Sequence, residues 1–343
     1  MDACPSPTQR SARRDPEQLL GAARAGERGA IGRLLSLVER GGEAARAVGR
    51  ATFAPSASVE HVIGVTGSPG AGKSTLVDRL IAAVRAGGDT VGVLAVDPSS
   101  PYSGGAILGD RIRMQDHALD RGVFIRSMAS RGHQGGLALA APEAIRVLAA
   151  VGMPVVLVET VGVGQVEVEI AGAADTTVVV VTPGWGDAVQ ASKAGLLEVA
   201  DVFVVNKADR EGAAETRRDL EAMLEMAASF PGAARSPATS TVGGLSDPVA
   251  WRPPVLLATA TTGEGTDAVW SAVTAHRAHL VAAGELERRR EQRLIAEMER
   301  VMIGRLARDV RELEGGARFE EVRAELLARR VDPYEAAARL LDR

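Results

Sequence analysis

Three short runs hold the residues best suited to chemistry. Gly67-Ser68-Pro69-Gly70-Ala71-Gly72-Lys73-Ser74-Thr75 follows the spacing G-x-x-x-x-G-K-[ST]. Glycines in such a run let backbone N–H groups turn inward around phosphate oxygens. A helix starting at its end adds the positive end of a dipole. Lys73 is expected to reach the β- and γ-phosphates, Ser74 to set its hydroxyl on Mg²⁺, and Thr75 to support an α-phosphate contact. The second run is Asn206-Lys207-Ala208-Asp209. A carboxylate at Asp209 can accept from both the ring N1–H and the exocyclic amine of guanine, with Lys207 lying over the base. Adenine lacks that donor pair and would leave the carboxylate buried and unmatched, at a cost of roughly 1–3 kcal/mol. The third run, Thr259-Ala260-Thr261, is placed to offer a backbone N–H to the guanine oxygen. Together they point to GTP rather than ATP.

Carboxylates for a metal come from the ends of apolar runs. Asp97 closes Val93-Leu94-Ala95-Val96-Asp97, and Glu159 closes Val155-Val156-Leu157-Val158-Glu159. At the C-terminal end of a parallel strand beside a phosphate loop, each would stand where Mg²⁺ is held. Asp110 is a further candidate ligand. It lies in the run 97–114, whose mixture of Gly, Ser and charge suits a loop ordered by the γ-phosphate and Mg²⁺. Arg111 and Arg113 in that run are candidates to stabilise transition-state charge or meet a partner, with surface salt bridging as the alternative. Glu159-Thr160-Val161-Gly162 stands where most small GTPases carry D-x-x-G. Gly162 opens a second glycine-hinged loop in which Gln165 is a candidate to orient the attacking water. In the run 183–193, Asp187, Gln190 and Lys193 are candidates for sensing the nucleotide, against an ordinary strand-to-helix loop. His276 and His279, three apart, read as a polar helix face rather than a metal pair.

These side chains need a scaffold that puts them at one edge. Apolar, β-rich runs at 62–66, 91–97, 123–125, 155–159, 177–181, 202–206 and 255–258 alternate with helical patterns. Continuous apolar runs of this length suit strands buried on both faces. The expected fold class is therefore α/β, a mostly parallel, doubly wound sheet. Helical spacing over 15–52, with Gly26 and Gly29 near a break, reads as two short helices. The run 229–254 reads as a loop insertion. From 284 onward the chain carries 14 Arg, 14 acidic residues and no Lys. There Leu294, Met298, Val301, Met302, Leu306, Val310 and Leu313 form one stripe. A helix over 285–314 would be about 45 Å long, and its single apolar stripe calls for a partner surface. Gly315-Gly316 would end it, with a shorter helical tail to 341. The expected organisation is a disordered leader at 1–14, a helical segment at 15–55, a nucleotide-binding domain at 56–283 and a helical arm at 284–343.

Composition narrows the function classes. The 343 residues are 46% apolar, and 40 Lys and Arg stand against 44 Asp and Glu, a net charge of −4. That leaves no general basic field for nucleic acid or an anionic membrane, and 3% aromatics supply few stacking platforms. The single cysteine, Cys4, excludes a disulfide framework and suits a reducing cytoplasm. No apolar run is long enough to span a bilayer.

Taken together, GSPGAGKST, VDPSSPYSGGAILGDRIRM, MASRGHQGG, ETVGVGQVEVEI, PGWGDAVQASKAG and NKADR resemble the methylmalonyl-CoA mutase-associated G proteins of the MeaB type. That group is also labelled as arginine/ornithine transport ATPases. The resemblance implies a P-loop GTPase with phosphate binding by 70–75 and magnesium handling by Ser74, Asp97, Asp110 and Glu159. It implies guanine recognition by Asn206, Lys207, Asp209 and Ala260, and a third switch at Asp187, Gln190 and Lys193 that senses the partner. It also implies a homodimer formed through the C-terminal arm, acting as chaperone to an adenosylcobalamin-dependent acyl-CoA mutase. Thr259-Ala260-Thr261 departs from the Ser-Ala-Leu of many relatives. Trp185, in the run 183–193, is a separate departure and points toward a mutase other than the methylmalonyl enzyme. Two other readings of the residues are a metal-insertion GTPase serving nickel enzymes and an ATP-dependent kinase or transport ATPase.

Overall fold

The computed structural model describes residues 15–54, 59–98, 117, 119–130, 136–160, 172–184, 197–229 and 251–341. The chain divides into two compact units, Met1–Arg293 and Leu294–Arg343. Strands β1 (His61–Gly67), β2 (Val91–Pro98), β3 (Val123–Ser130), β4 (Val155–Thr160), β5 (Thr176–Val181), β6 (Val202–Asn206) and β7 (Val255–Ala258) form a sheet in the first unit. Its order is β3-β2-β4-β1-β5-β6-β7 and every pairing is parallel. The helices in chain order are α1 (Pro16–Arg24), α2 (Arg28–Arg40), α3 (Gly42–Thr52), α4 (Lys73–Ala86) and α5 (Gly136–Ala150). They continue with α6 (Ala213–Ser229), α7 (Thr266–Ala282), α8 (Glu285–Leu313), α9 (Ala317–Leu327) and α10 (Pro333–Leu341).

Successive side chains on a strand face opposite ways, and here both directions are apolar. Val62, Leu94, Val96, Val156 and Val158 enter one core, which Leu20 of α1, Leu34 and Leu35 of α2, Val48 of α3 and Leu148 of α5 complete. Ile63, Val65, Val93, Leu157, Val178 and Val180 enter the other, against Leu76, Leu80 and Ile81 of α4 and Val269 and Val273 of α7. Two buried faces require helices on both sides of the sheet, the doubly wound arrangement expected from the unbroken apolar strands. Among the described residues no helix is long and apolar enough to cross a membrane.

Several boundaries differ from the sequence reading. The N-terminal segment holds three helices, not two. Gly26 takes the expected break at φ 94°, but Gly29 lies inside α2, and Gly41 and Gly42 at φ 72° and 70° make a second break. Strand β3 runs to Ser130 instead of ending at 125, pairing with β2 from Val91↔Val123 to Pro98↔Ser130. It is an edge strand, so Arg126 can leave the apolar pattern and donate to Glu39 Oε2 at 2.6 Å and Ser36 Oγ at 3.0 Å. The tail after α8 is two helices, separated by a turn with Arg329 at φ 55° and restarted at Pro333.

The strands' N-terminal ends carry a buried polar chain. His61 Nε2 lies 2.8 Å from Thr176 Oγ1, which lies 2.9 Å from His276 Nδ1 on α7. His276 Nε2 in turn sits 3.2 Å from Asp201 Oδ1. Beside it, Asp175 accepts from the Val62 N–H at 3.0 Å and from Arg290 at 2.7 Å, and pairs with Arg293. The opposite, C-terminal ends carry the candidate site.

Candidate nucleotide site

Strand β1 delivers the chain into the phosphate loop, and α4 starts at Lys73 directly after it. Two glycines there are dictated by space. A Cβ on Gly67, which has φ 131°, would stand 1.9 Å from Val180 O on β5. A Cβ on Gly72, at φ 88°, would stand 2.3 Å from Asn206 Nδ2. The Lys73 ammonium is buried and donates to Gly67 O at 2.6 Å and Ser68 O at 3.0 Å, so its charge is held inside the loop.

Strand β4, next to β1, brings Glu159 beside the loop. The Ser74 hydroxyl donates to Glu159 Oε1 at 2.7 Å, and Glu159 is 1% exposed. The Thr160 hydroxyl donates to Thr66 Oγ1 at 3.0 Å and ties the two strand ends together. A hydroxyl and a carboxylate at contact distance are hard oxygen donors of the kind Mg²⁺ takes. The chemistry of this pair fits that ion.

Strands β6 and β7 supply the other half. Asn206 Nδ2 donates to Ala71 O at 2.7 Å, and Asn206 Oδ1 accepts from the Ala260 N–H at 3.0 Å. One amide thus joins the phosphate loop to the turn after β7. Lys207, at φ 61°, reaches back and donates to Gly70 O at 2.7 Å. Arg79 on α4 clamps the same turn, donating to Ala260 O at 2.9 Å and Thr261 O at 2.7 Å. Neither Arg79 nor the bridging role of Asn206 was foreseen from sequence. Arg79 meets carbonyls 181 and 182 residues downstream, and backbone acceptors leave no signature in residue types.

The family profile described as "Methylmalonyl Co-A mutase-associated GTPase MeaB" matches residues 31–314. The chain belongs to this family. A Pyrococcus abyssi protein named as a GTPase is 45% identical over 95% of each chain. GTPase ArgK of Escherichia coli K12 is 39% identical, covering 68% of this chain and 66% of its own. A solved structure titled LAO/AO transport system kinase superposes with a TM-score of 0.66 at 24% identity, over 98% of each chain, and so shares the fold. As a member of the MeaB family, the protein is a P-loop GTPase that binds guanine nucleotide and hydrolyses GTP.

The structure places the expected site residues unevenly. Gly67, Ser68, Pro69, Gly70, Ala71, Gly72, Lys73, Ser74, Glu159, Asn206, Lys207, Thr259, Ala260 and Thr261 lie at or just beyond the C-terminal ends of β1, β4, β6 and β7, and all but Pro69, Gly72 and Thr259 take part in the bonds above. Thr75 is half-buried in the first turn of α4. Asp209 follows β6 and is exposed, so a base must cover it before its carboxylate discriminates. Within the turn 259–261, expected to offer a backbone N–H to the guanine oxygen, the Ala260 N–H donates to Asn206 Oδ1. Asp97 is the last residue but one of β2, which β4 separates from β1. The side chain of Asp97, and Asp110, Arg111, Arg113, Gly162, Gln165, Asp187, Gln190 and Lys193, lie outside the described residues.

Proposed function

We propose that this GTPase is a homodimeric, nucleotide-gated chaperone for an adenosylcobalamin-dependent acyl-CoA mutase, methylmalonyl-CoA mutase or a close relative. It would gate cofactor loading and protect or reactivate that enzyme. The partner comes from the family's association. The structural support is the Asn206 bridge, which joins the phosphate loop at Ala71 to the base turn at Ala260. Phosphate and base halves joined in this way can respond to the nucleotide together.

Within this reading, the loop 67–75 wraps the phosphates, Lys73 neutralises the γ-phosphate, and Asp209 and the turn 259–261 read guanine. Water attacks the γ-phosphoryl group in line, the bond to the β-phosphate oxygen breaks, and the products are GDP and phosphate. Ser74 and Glu159, with Asp97 and Asp110, would hold Mg²⁺. When bound, the ion supplies positive charge to the phosphate oxygens. Arg111, Arg113, Gln165 and the third switch at Asp187, Gln190 and Lys193 are the groups a partner would set in place. Intrinsic turnover is then slow and rises when the mutase binds.

The test is to titrate candidate mutases into the protein and follow both GTP turnover and nucleotide affinity. A cognate mutase is expected to accelerate hydrolysis tenfold or more and to shift nucleotide affinity. Its own affinity must shift by the same factor with nucleotide, because binding coupling is reciprocal. If no adenosylcobalamin-dependent mutase changes either quantity, the chaperone reading fails while the GTPase assignment stands.

A further inference from the structure

The turn 259–264 nearly closes on itself. The Thr259 N–H donates to Glu264 O at 2.9 Å, Thr262 N–H and Gly263 N–H donate to Thr259 O at 3.0 and 2.9 Å, and Glu264 N–H reaches Thr262 Oγ1 at 3.4 Å. The Ala260 N–H donates to Asn206 Oδ1. Among the described residues, Thr261 is then the one position in this turn whose N–H has no acceptor. Its direction is fixed from behind. In a trans peptide the C=O and the following N–H point opposite ways, and Arg79 Nε holds the Ala260 C=O at 2.9 Å. The second bond, from Arg79 Nη2 to Thr261 O at 2.7 Å, fixes the next peptide plane as well. A Cβ on Gly263, at φ 87°, would come within 3.9 Å of the guanidinium, so the arginine lies directly against the turn.

We propose that Arg79 is a specificity-determining positioning residue for the base. By holding two successive carbonyls on the α4 side, it aims the Thr261 N–H at the 6-oxo oxygen of guanine. That donor would face the 6-amino group of adenine as donor against donor. Recognition of the 6-position thus depends on an arginine that does not touch the nucleotide. A lysine cannot replace it fully, because only the guanidinium fork reaches both carbonyls in one plane. The inference rests on the guanine-nucleotide site already described and adds the group that orients it.

The experiment compares wild type, Arg79→Gln and Arg79→Lys by calorimetric titration with two diphosphates: GDP, and the riboside diphosphate of 2-aminopurine, which lacks the 6-oxygen. Arg79→Gln is expected to weaken GDP at least tenfold and the 2-aminopurine nucleotide less than threefold, with Arg79→Lys between for GDP. A purely structural role would lower both nucleotides by the same factor, and that result overturns the proposal, as would GDP binding that does not change. Thermal unfolding of each variant, expected within a few degrees of wild type, shows that the fold is retained. A wild type that bound GDP no better than ADP would instead sink the base-reading site itself.

Discussion

Asn206 must satisfy two opposite demands with one side chain. Ala71 offers it a carbonyl, which needs a donor, and Ala260 offers it an N–H, which needs an acceptor. Both bonds are buried, and only an amide provides both chemistries at this length. Asn206→Asp would set a carboxylate oxygen against the Ala71 carbonyl, and Asn206→Leu would leave both backbone groups unpaired. Each orphaned group costs about 1–3 kcal/mol, so Asn206→Leu is expected to lose roughly 2–6 kcal/mol of unfolding free energy and Asn206→Asp, which still accepts from Ala260, roughly half of that. Urea titration checks this directly. Nucleotide affinity should fall with it, since the base turn and the phosphate loop lose their tie. Wild-type stability in Asn206→Leu would show that the bridge contributes nothing. The asparagine itself was legible as part of Asn206-Lys207-Ala208-Asp209. Its partners were not, because a backbone carbonyl 135 residues away is invisible to a local pattern.

At the scale of elements, the sheet was read well because its strands are buried on both faces and leave unbroken apolar runs. The edge strand β3 was read short because Arg126 and Ser127 interrupt that signal while the pairing continues. The polar chain at the N-terminal strand ends was missed for a related reason. His61, Thr176, Asp201 and His276 are each ordinary alone and meet only when β1, β5 and β6 lie side by side with α7 packed against them. Titration makes the chain measurable. Burial lowers the His61 imidazole to about 4, against the pull of the Asp175 charge, with Arg277 and Arg290 adding to the lowering. Burial alone would raise the Asp175 carboxyl, but the hydrogen bond from Arg290, the charges of Arg293 and Arg290 and the Val62 N–H hold it down at about 2. The folded state therefore binds fewer protons at His61 than the unfolded chain, whose value is 6.5. Its contribution, about 3 kcal/mol by linkage, is complete above pH 6.5 and is lost as pH falls toward 4. Folded Asp175 stays ionised across that window, so its unfolded carboxyl, at 3.8, adds to the decline only near the acid end. In His61→Gln, which keeps a donor for Thr176, the decline of the urea midpoint between pH 6.5 and 4 should flatten. Parallel declines in the two proteins would rule out His61 as the titrating group.

For the whole molecule, the outstanding feature is apolar surface in the second unit. Along α8 the side chains of Met298, Val301, Met302, Leu306 and Val310 are all exposed, Leu306 at 62%. Single exposed apolar residues need no explanation, but a contiguous stripe marks a contact surface. Charge does not oppose self-association, since Arg and acidic residues are equal in number from 284 onward. Within this unit α9 and α10 are joined by the buried Val322 and Ala336 and by Arg339, which bridges Glu325 and Glu335. Phe319, Leu326 and Leu340 are half-buried, and Leu327, Tyr334 and Leu341 are exposed too. The part of α8 in this unit offers a stripe roughly 30 Å by 10 Å. That falls short of the about 800 Å² per partner of a standard interface, so a dimer needs the α9 and α10 side chains as well. If two arms meet this way, Leu306→Glu places a charge in the centre of the shared surface and should yield monomers that still bind GDP with unchanged affinity. Tyr334→Ala, farther along the chain, should only weaken the dimer, raising its dissociation constant about tenfold. Sedimentation over a concentration series separates these outcomes. Dimers that survive Leu306→Glu unchanged would place the contact elsewhere on the molecule and leave the α8 stripe for a different protein.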